Sequence, residues 1–225
     1  MSVAVVLDTD AIIYYINNVA ELLSNIVRYV RYRVERLMPS MLVPGADVFI
    51  PEAVQLELLL VSGWERFMCE NCGAEFRVFL RIGGRYERPR YCPLCGSNRI
   101  RSRGTIVTRD EVNNAINGFK DYLTGQLSSQ RQIRPIEVRL GEPRISDVFQ
   151  EVWRALTQAR DLMRCRGTLD FLITESACYL LRLGNYQYVD LLTSDEDSNN
   201  CIRSYKRFRG CNIKLFNYKL FQELK

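Results

Sequence analysis

The chain has 225 residues, 47% hydrophobic and 25% charged, enough for one good-sized core and a small accessory module. It has no histidine, which removes Ser-His-Asp and Cys-His catalysis and every metalloprotease built on paired histidines. Hydrolytic chemistry would then fall to carboxylates and a metal. The net charge of +5 is unevenly placed: from Arg66 to Arg109 ten arginines face three glutamates, a local excess of +7, and the remainder is −2. Such asymmetry points to an anionic partner.

The predicted elements alternate strand and helix. Val3 to Leu7 is a short, β-branched, continuously apolar run, as expected of a strand buried on both faces. Asp8-Thr9-Asp10 follows, then helices over Ala11 to Asn17 and Val19 to Met38, the second amphipathic through Leu22, Leu23, Ile26, Val30, Val34 and Leu37. Val48 to Ile50 reads as a second strand, and Pro51 opens a helix through Val61. Phe67 to Arg103 changes to short strands and tight turns. Helical periodicity resumes over Arg109 to Leu127, and a polar loop, Ser128 to Pro143, holds one edge strand at Ile136 to Leu140. Helices over Ser146 to Arg164 and Thr168 to Leu183, a strand at Tyr188 to Thr193, a helix over Ser198 to Arg207, a strand at Cys211 to Phe216 and a short terminal helix complete the chain. This order predicts a parallel sheet with helices on both faces. No long apolar run and no leader-like start is present, so no membrane span is expected and the expected location is intracellular, in the cytoplasm.

Cys69-x2-Cys72 and Cys92-x2-Cys95 have the spacing of a four-thiolate zinc site. Each pair is followed by glycine, Gly73 and Gly96, which lets backbone amides turn toward the sulfurs. Phe76 to Ile82 and Tyr86 to Tyr91 flank Gly83-Gly84 and read as a hairpin between the two knuckles, the layout of a zinc ribbon. A four-coordinate site of this kind is structural. Two disulfides would need an oxidising compartment or a hyperthermophile cytosol, and iron–sulfur ligation uses the same residue type. Arg77, Arg81, Arg85, Arg88, Arg90, Arg99, Arg101 and Arg103, interleaved with aromatic residues, form a candidate nucleic-acid surface; a ribbon that docks only protein is the alternative. Cys165, Cys178, Cys201 and Cys211 lack metal spacing and read as small core residues, with a Cys201–Cys211 disulfide as a lesser option.

Four acids recur at the ends of elements. Asp8 and Asp195 follow apolar strands, Asp170 lies in the first turn of a helix, and Glu57 sits within an apolar helix. Capping, helix-dipole and turn roles account for the three aspartates singly. Glu57 among leucines calls for a cation or an arginine. Together, beyond the carboxyl ends of parallel strands, they would make an oxygen-rich site for Mg²⁺ or Mn²⁺.

In this order the residues resemble the PIN-domain ribonucleases. Val5-Val6-Leu7-Asp8-Thr9-Asp10 is similar to their first motif and Pro51-Glu52-Ala53-Val54-Gln55-Leu56-Glu57-Leu58 to their second. Leu169-Asp170-Phe171-Leu172-Ile173-Thr174-Glu175-Ser176-Ala177 resembles the third, and Leu191-Leu192-Thr193-Ser194-Asp195-Glu196-Asp197 the fourth. The resemblance implies an α/β/α PIN-like domain, residues 1–64 and 108–225, interrupted by a zinc ribbon at 65–107. It implies a metal-dependent endoribonuclease whose Asp8, Glu57, Asp170 and Asp195 hold Mg²⁺ or Mn²⁺, with Asp197 auxiliary, and RNA or a ribonucleoprotein particle as partner. Asp10 and the long insertion after Glu57 depart from the family pattern. A non-catalytic RNA-binding or scaffolding subunit, or the toxin of a toxin–antitoxin pair, are the other functions the resemblance allows.

Overall fold

The computed structural model describes residues 3–37, 46–79, 89–128, 136–159, 168–193, 196–217 and 222–223. Its elements in chain order are β1 (Val3–Leu7), α1 (Thr9–Tyr14), α2 (Val19–Leu37), β2 (Ala46–Ile50), α3 (Glu52–Val61), β3 (Trp64–Cys69), β4 (Glu75–Phe79), β5 (Ile100–Thr105), α4 (Arg109–Ser128), β6 (Ile136–Leu140), α5 (Ile145–Ala159), α6 (Thr168–Arg182), β7 (Tyr188–Leu192), α7 (Glu196–Arg209), β8 (Lys214–Asn217) and β9 (Gln222–Glu223). The chain forms two units, residues 1–57 with 115–225, and residues 58–114. None of the described helices is long and apolar enough to cross a membrane.

The first unit is mixed α/β around a sheet ordered β6-β2-β1-β7-β8-β9. Its first five strands run parallel, and only β9 returns antiparallel, pairing Phe216 with Glu223. The short terminal helix expected from sequence is therefore not what residues 222–223 form: they add a strand to the edge of β8. At the other edge, β6 is the strand expected within the polar loop. All five residues of β1 are buried, as its unbroken β-branched run requires at the centre of a parallel sheet.

Local signals set the helix starts. Asn18 and Glu21 cap α2 reciprocally: the Asn18 carbonyl oxygen accepts from the Glu21 amide at 3.1 Å, and the Asn18 side-chain amide donates to Glu21 at 3.1 Å. Leu22, Leu23, Ile26, Tyr29 and Val30 of α2 are then buried. The Tyr29 ring lies tilted against Phe216, 4.1 Å between centroids, and its hydroxyl donates to the buried Asp190 of β7. Thr108 and Glu111 form a full capping box on α4, with bonds of 2.7 and 3.1 Å.

A buried polar network joins α5, α6 and α7. Glu175, wholly inaccessible, accepts from Tyr205 at 2.5 Å and from Arg209 at 3.3 Å, and pairs with Arg182. Arg209 also pairs with Glu151 at 2.5 Å. Burial, reinforced by the Glu175 carboxylate, pushes the Tyr205 phenol well above its usual range, so it stays a donor. Truncating Glu175 would strand Tyr205 and one arginine contact in the interior. Glu175→Ala is expected to cost about 3 kcal/mol, the low end for a broken buried pair because Arg209 keeps Glu151. Calorimetry should then show Tm lowered by roughly 6–12 °C.

One sequence expectation is corrected beside this network. Cys178 and Cys211 are not separate core residues but form a disulfide that fastens α6 to the entry of β8. Closing that loop contributes about 3–4 kcal/mol by chain entropy. The pairing joins two residues 33 apart, so no local spacing announces it.

The second unit is built on an antiparallel sheet ordered β4-β3-β5. β4 pairs with β3 across the first cysteine knuckle, and residues 89–91, the end of the predicted second hairpin strand, form no strand; the predicted turn at Gly83-Gly84 falls among residues 80–88, which lie outside the described residues. β5, beyond the second knuckle, completes the sheet on the other side of β3.

Candidate metal centres

The two cysteine pairs stand at equivalent turns. Cys69 ends β3, its carbonyl accepts from Gly73 at 2.9 Å, and its amide donates to Ala74 at 2.9 Å. Cys92 repeats the pattern with Gly96 at 2.9 Å and Ser97 at 2.7 Å. Gly73 and Gly96 have φ of 71° and 67°, a left-handed geometry that glycine enters without strain.

These turns bring all four sulfurs within 4.8 Å of one another. Cys69 and Cys95 are 3.5 Å apart and Cys72 and Cys92 3.7 Å. A tetrahedron of zinc–sulfur bonds of about 2.3 Å has edges of about 3.8 Å, so the set fits a structural metal such as zinc. The electrostatics agree. The Cys72 amide is the main cause that lowers the Cys69 thiol to about 6. Cys72 is pushed up to about 12: the Ala74 amide pulls it down, but the neighbouring Cys95 sulfur and burial outweigh it. Four sulfurs this close share charge and cannot all ionise without a cation.

The second candidate centre lies at the carboxyl end of β1. In the parallel sheet, β2 and β6 lie to one side of β1, and β7 and β8 to the other, so the chain's winding reverses between β1 and β7. That switch point is where open α/β sheets receive ligands. Asp8 stands there: its amide donates to Leu192 at 3.0 Å and its carboxylate accepts from the Thr9 amide at 2.7 Å, capping α1. Thr193, just past β7, also hydrogen-bonds the Asp8 side chain. The Thr9 hydroxyl donates to Glu57 of α3 at 2.5 Å, linking the two acids. Burial, then Asp10, then Glu57 raise the Asp8 carboxyl well above its usual value, and the bonds from Thr193 and Thr9 only partly oppose them.

The other predicted ligands are less closely placed. Asp170 is half-buried in the first turn of α6, where its carbonyl accepts from Thr174 at 2.7 Å. Asp197 falls in the first turn of α7, and Asp195 lies outside the described residues. Among the described residues the cysteines alone gather three or more ligand atoms closely enough for a metal; Asp8, Glu57 and Asp170 do not meet to that distance. Thr9 and Thr193 were not singled out in the sequence, although each adjoins a candidate acid.

Of the candidate nucleic-acid residues, Arg77, Arg101 and Arg103 are exposed on the strands of the small sheet, and Arg90 and Arg99 are exposed near the second knuckle. Arg81, Arg85 and Arg88 lie outside the described residues.

No family model, curated protein or solved structure compared with the chain matches it. What the geometry defines is a mixed α/β protein with a central parallel sheet of five strands, an antiparallel sheet of three, and a four-cysteine cluster able to hold a structural metal such as zinc.

Proposed function

We propose that the chain is a metal-dependent endoribonuclease with a three-layer PIN-like domain and an inserted zinc ribbon that helps hold RNA or its particle. The observation that carries this reading is Asp8, buried at the switch point of a parallel sheet and joined through Thr9 to Glu57. A buried carboxylate crowded by Asp10 and Glu57 calls for a cation. Asp8, Glu57, Asp170 and Asp195 would hold Mg²⁺ or Mn²⁺, all-oxygen donors suited to hard cations. When bound, such an ion lowers the pKa of water and offsets charge on a phosphodiester.

The chain's own residues then have defined tasks. Thr9 and Thr193 fix Asp8 and Glu57 in orientation, and Asp197 is an auxiliary acid. Water attacks phosphorus in line with the 3′ oxygen, the P–O3′ bond breaks, and the leaving oxygen takes up a proton. The products carry a 5′ phosphate and a 3′ hydroxyl.

Labelled single-stranded RNA incubated with Mn²⁺ or Mg²⁺ is expected to be cut internally, with no cutting in a chelator control or by Asp8→Asn. Cutting that persists in the variant would remove the site assignment. RNA bound but uncut by the wild-type protein would instead select a binding or scaffolding subunit, the reading favoured by the exposed arginines of the small sheet.

A further inference from the structure

The strand register of the 58–114 unit sorts its side chains onto two faces. In an antiparallel pair, residues directly opposite share a face, and residues two apart along a strand do as well. Phe67 opposes Phe76 in β4 and Ser102 in β5; its ring stacks on Phe76 at 5.9 Å, and Ser102 hydrogen-bonds the buried Glu65. That is the inner face. On the other face Arg66 opposes Arg77, and Met68 opposes Arg101. The register shift between Glu65 and Phe67 leaves Arg103 on this same face, where its guanidinium reaches the Met68 sulfur at 3.1 Å.

Four arginines from three adjacent strands thus stand side by side, all exposed. None has a carboxylate partner among the described residues, and Glu75, opposite Met68, is the acid that shares the face. Trp64 lies in line with Arg66 and Met68 and is half-exposed. Adjacent strands are about 4.8 Å apart and alternate residues about 6.7 Å, so the four forks form one compact cationic patch.

We infer that this face seats the sugar–phosphate backbone of single-stranded RNA, with Arg66, Arg77, Arg101 and Arg103 on the phosphates and Trp64 beside the bases. The assignment rests on RNA being the ligand class proposed above, and it names the contact surface. Arginine forks match phosphate oxygens bidentately, and an aromatic ring set among cations is how sequence-tolerant single-strand sites take up bases. The face spans three strands, wider than the two-stranded ribbon that a duplex major groove admits. Among the described side chains its apolar content is Trp64 and Met68, too little to anchor in lipid.

The experiment follows a fluorescein-labelled oligouridylate by anisotropy across a KCl series. It uses the full zinc-loaded chain carrying Asp8→Asn, so that binding is read without cutting. Alanine at all four arginines is expected to flatten the slope of log K against log salt by about 3, since each lost single-strand phosphate contact removes about 0.7. Glu75→Gln is expected to bind more tightly, a gain that misfolding cannot produce. The inference is overturned if the quadruple variant, with its zinc retained, keeps the wild-type slope, or if Glu75→Gln leaves affinity unchanged. It is also overturned if phosphatidylserine vesicles compete as well as unlabelled RNA. Failure of the cleavage reading shows separately: chain with Asp8 intact would leave RNA whole while the arginine dependence of binding stands.

Discussion

Replacing Cys92 with Ser is expected to release the metal and unfold the small sheet while the large sheet stays folded. The 58–114 unit has little else to hold it. Between the end of α3 and the start of α4 its described regular structure is three short strands, and its fully buried strand residues include Phe67 and Cys69. Residues 89–99 belong to no strand or helix and are organised by the second knuckle. A module this small cannot bury enough apolar surface to offset its chain entropy. Structural zinc contributes an apparent 10–16 kcal/mol, roughly, in small domains, more than the whole stability of most modules of this size. Serine cannot supply a thiolate, and the three remaining sulfurs would be left crowded and partly ionised. Zinc content by atomic emission should fall from one per chain to none. Amide hydrogen exchange should lose protection across β3, β4 and β5 and keep it in β1 and β7. A zinc-free variant with wild-type protection in β3 would show that packing, not the metal, holds the unit.

The same contrast between local and distant causes decides what could be read in the sequence. The apolar run Val3 to Leu7 becomes the central strand because β-branching and burial on both faces leave it no other place. The cysteine spacing with its trailing glycines was equally legible, since each knuckle closes within six residues. The sheet of the small unit was not. β3 runs into the first knuckle at Cys69 and pairs with β4 on one edge and with β5, beyond the second knuckle, on the other, a long-range pairing that no local turn signal announces. For that reason Arg66 was absent from the predicted basic surface: it joins Arg77 only through cross-strand register. Glu175 reads in sequence as one more acid on a helix. Its role comes from Tyr205 and Arg209, some thirty residues on in α7. The proposed carboxylate site was legible in its anchor, Asp8 at a strand end. It was not legible in Thr9, whose hydroxyl bond to Glu57 spans 48 residues.

Asp8→Asn is expected to abolish cleavage and, without divalent metal, to make the protein more stable than wild type. The two effects have one cause. Burial, Asp10 and Glu57 hold the Asp8 carboxyl well above its usual value in the folded chain. The folded state therefore binds that proton more tightly than the unfolded state. Stability from this group is highest at acid pH, falls as pH rises above the unfolded value of about 4, and is fully lost above the raised folded value. Asparagine removes the charge, and it is as good a helix cap as aspartate, so the bond from the Thr9 amide that starts α1 survives. At neutral pH without divalent metal, the variant should melt at the higher temperature, and the gap should close toward pH 4. Mn²⁺ should then raise the wild-type Tm by mass action and leave the variant unmoved. Cleavage should fall by at least roughly 10³-fold, to below detection, the scale of losing one preorganised electrostatic group. A variant that melts below wild type without metal would mean Asp8 is a structural cap. Equal stabilisation of both proteins by Mn²⁺ would place the ion elsewhere.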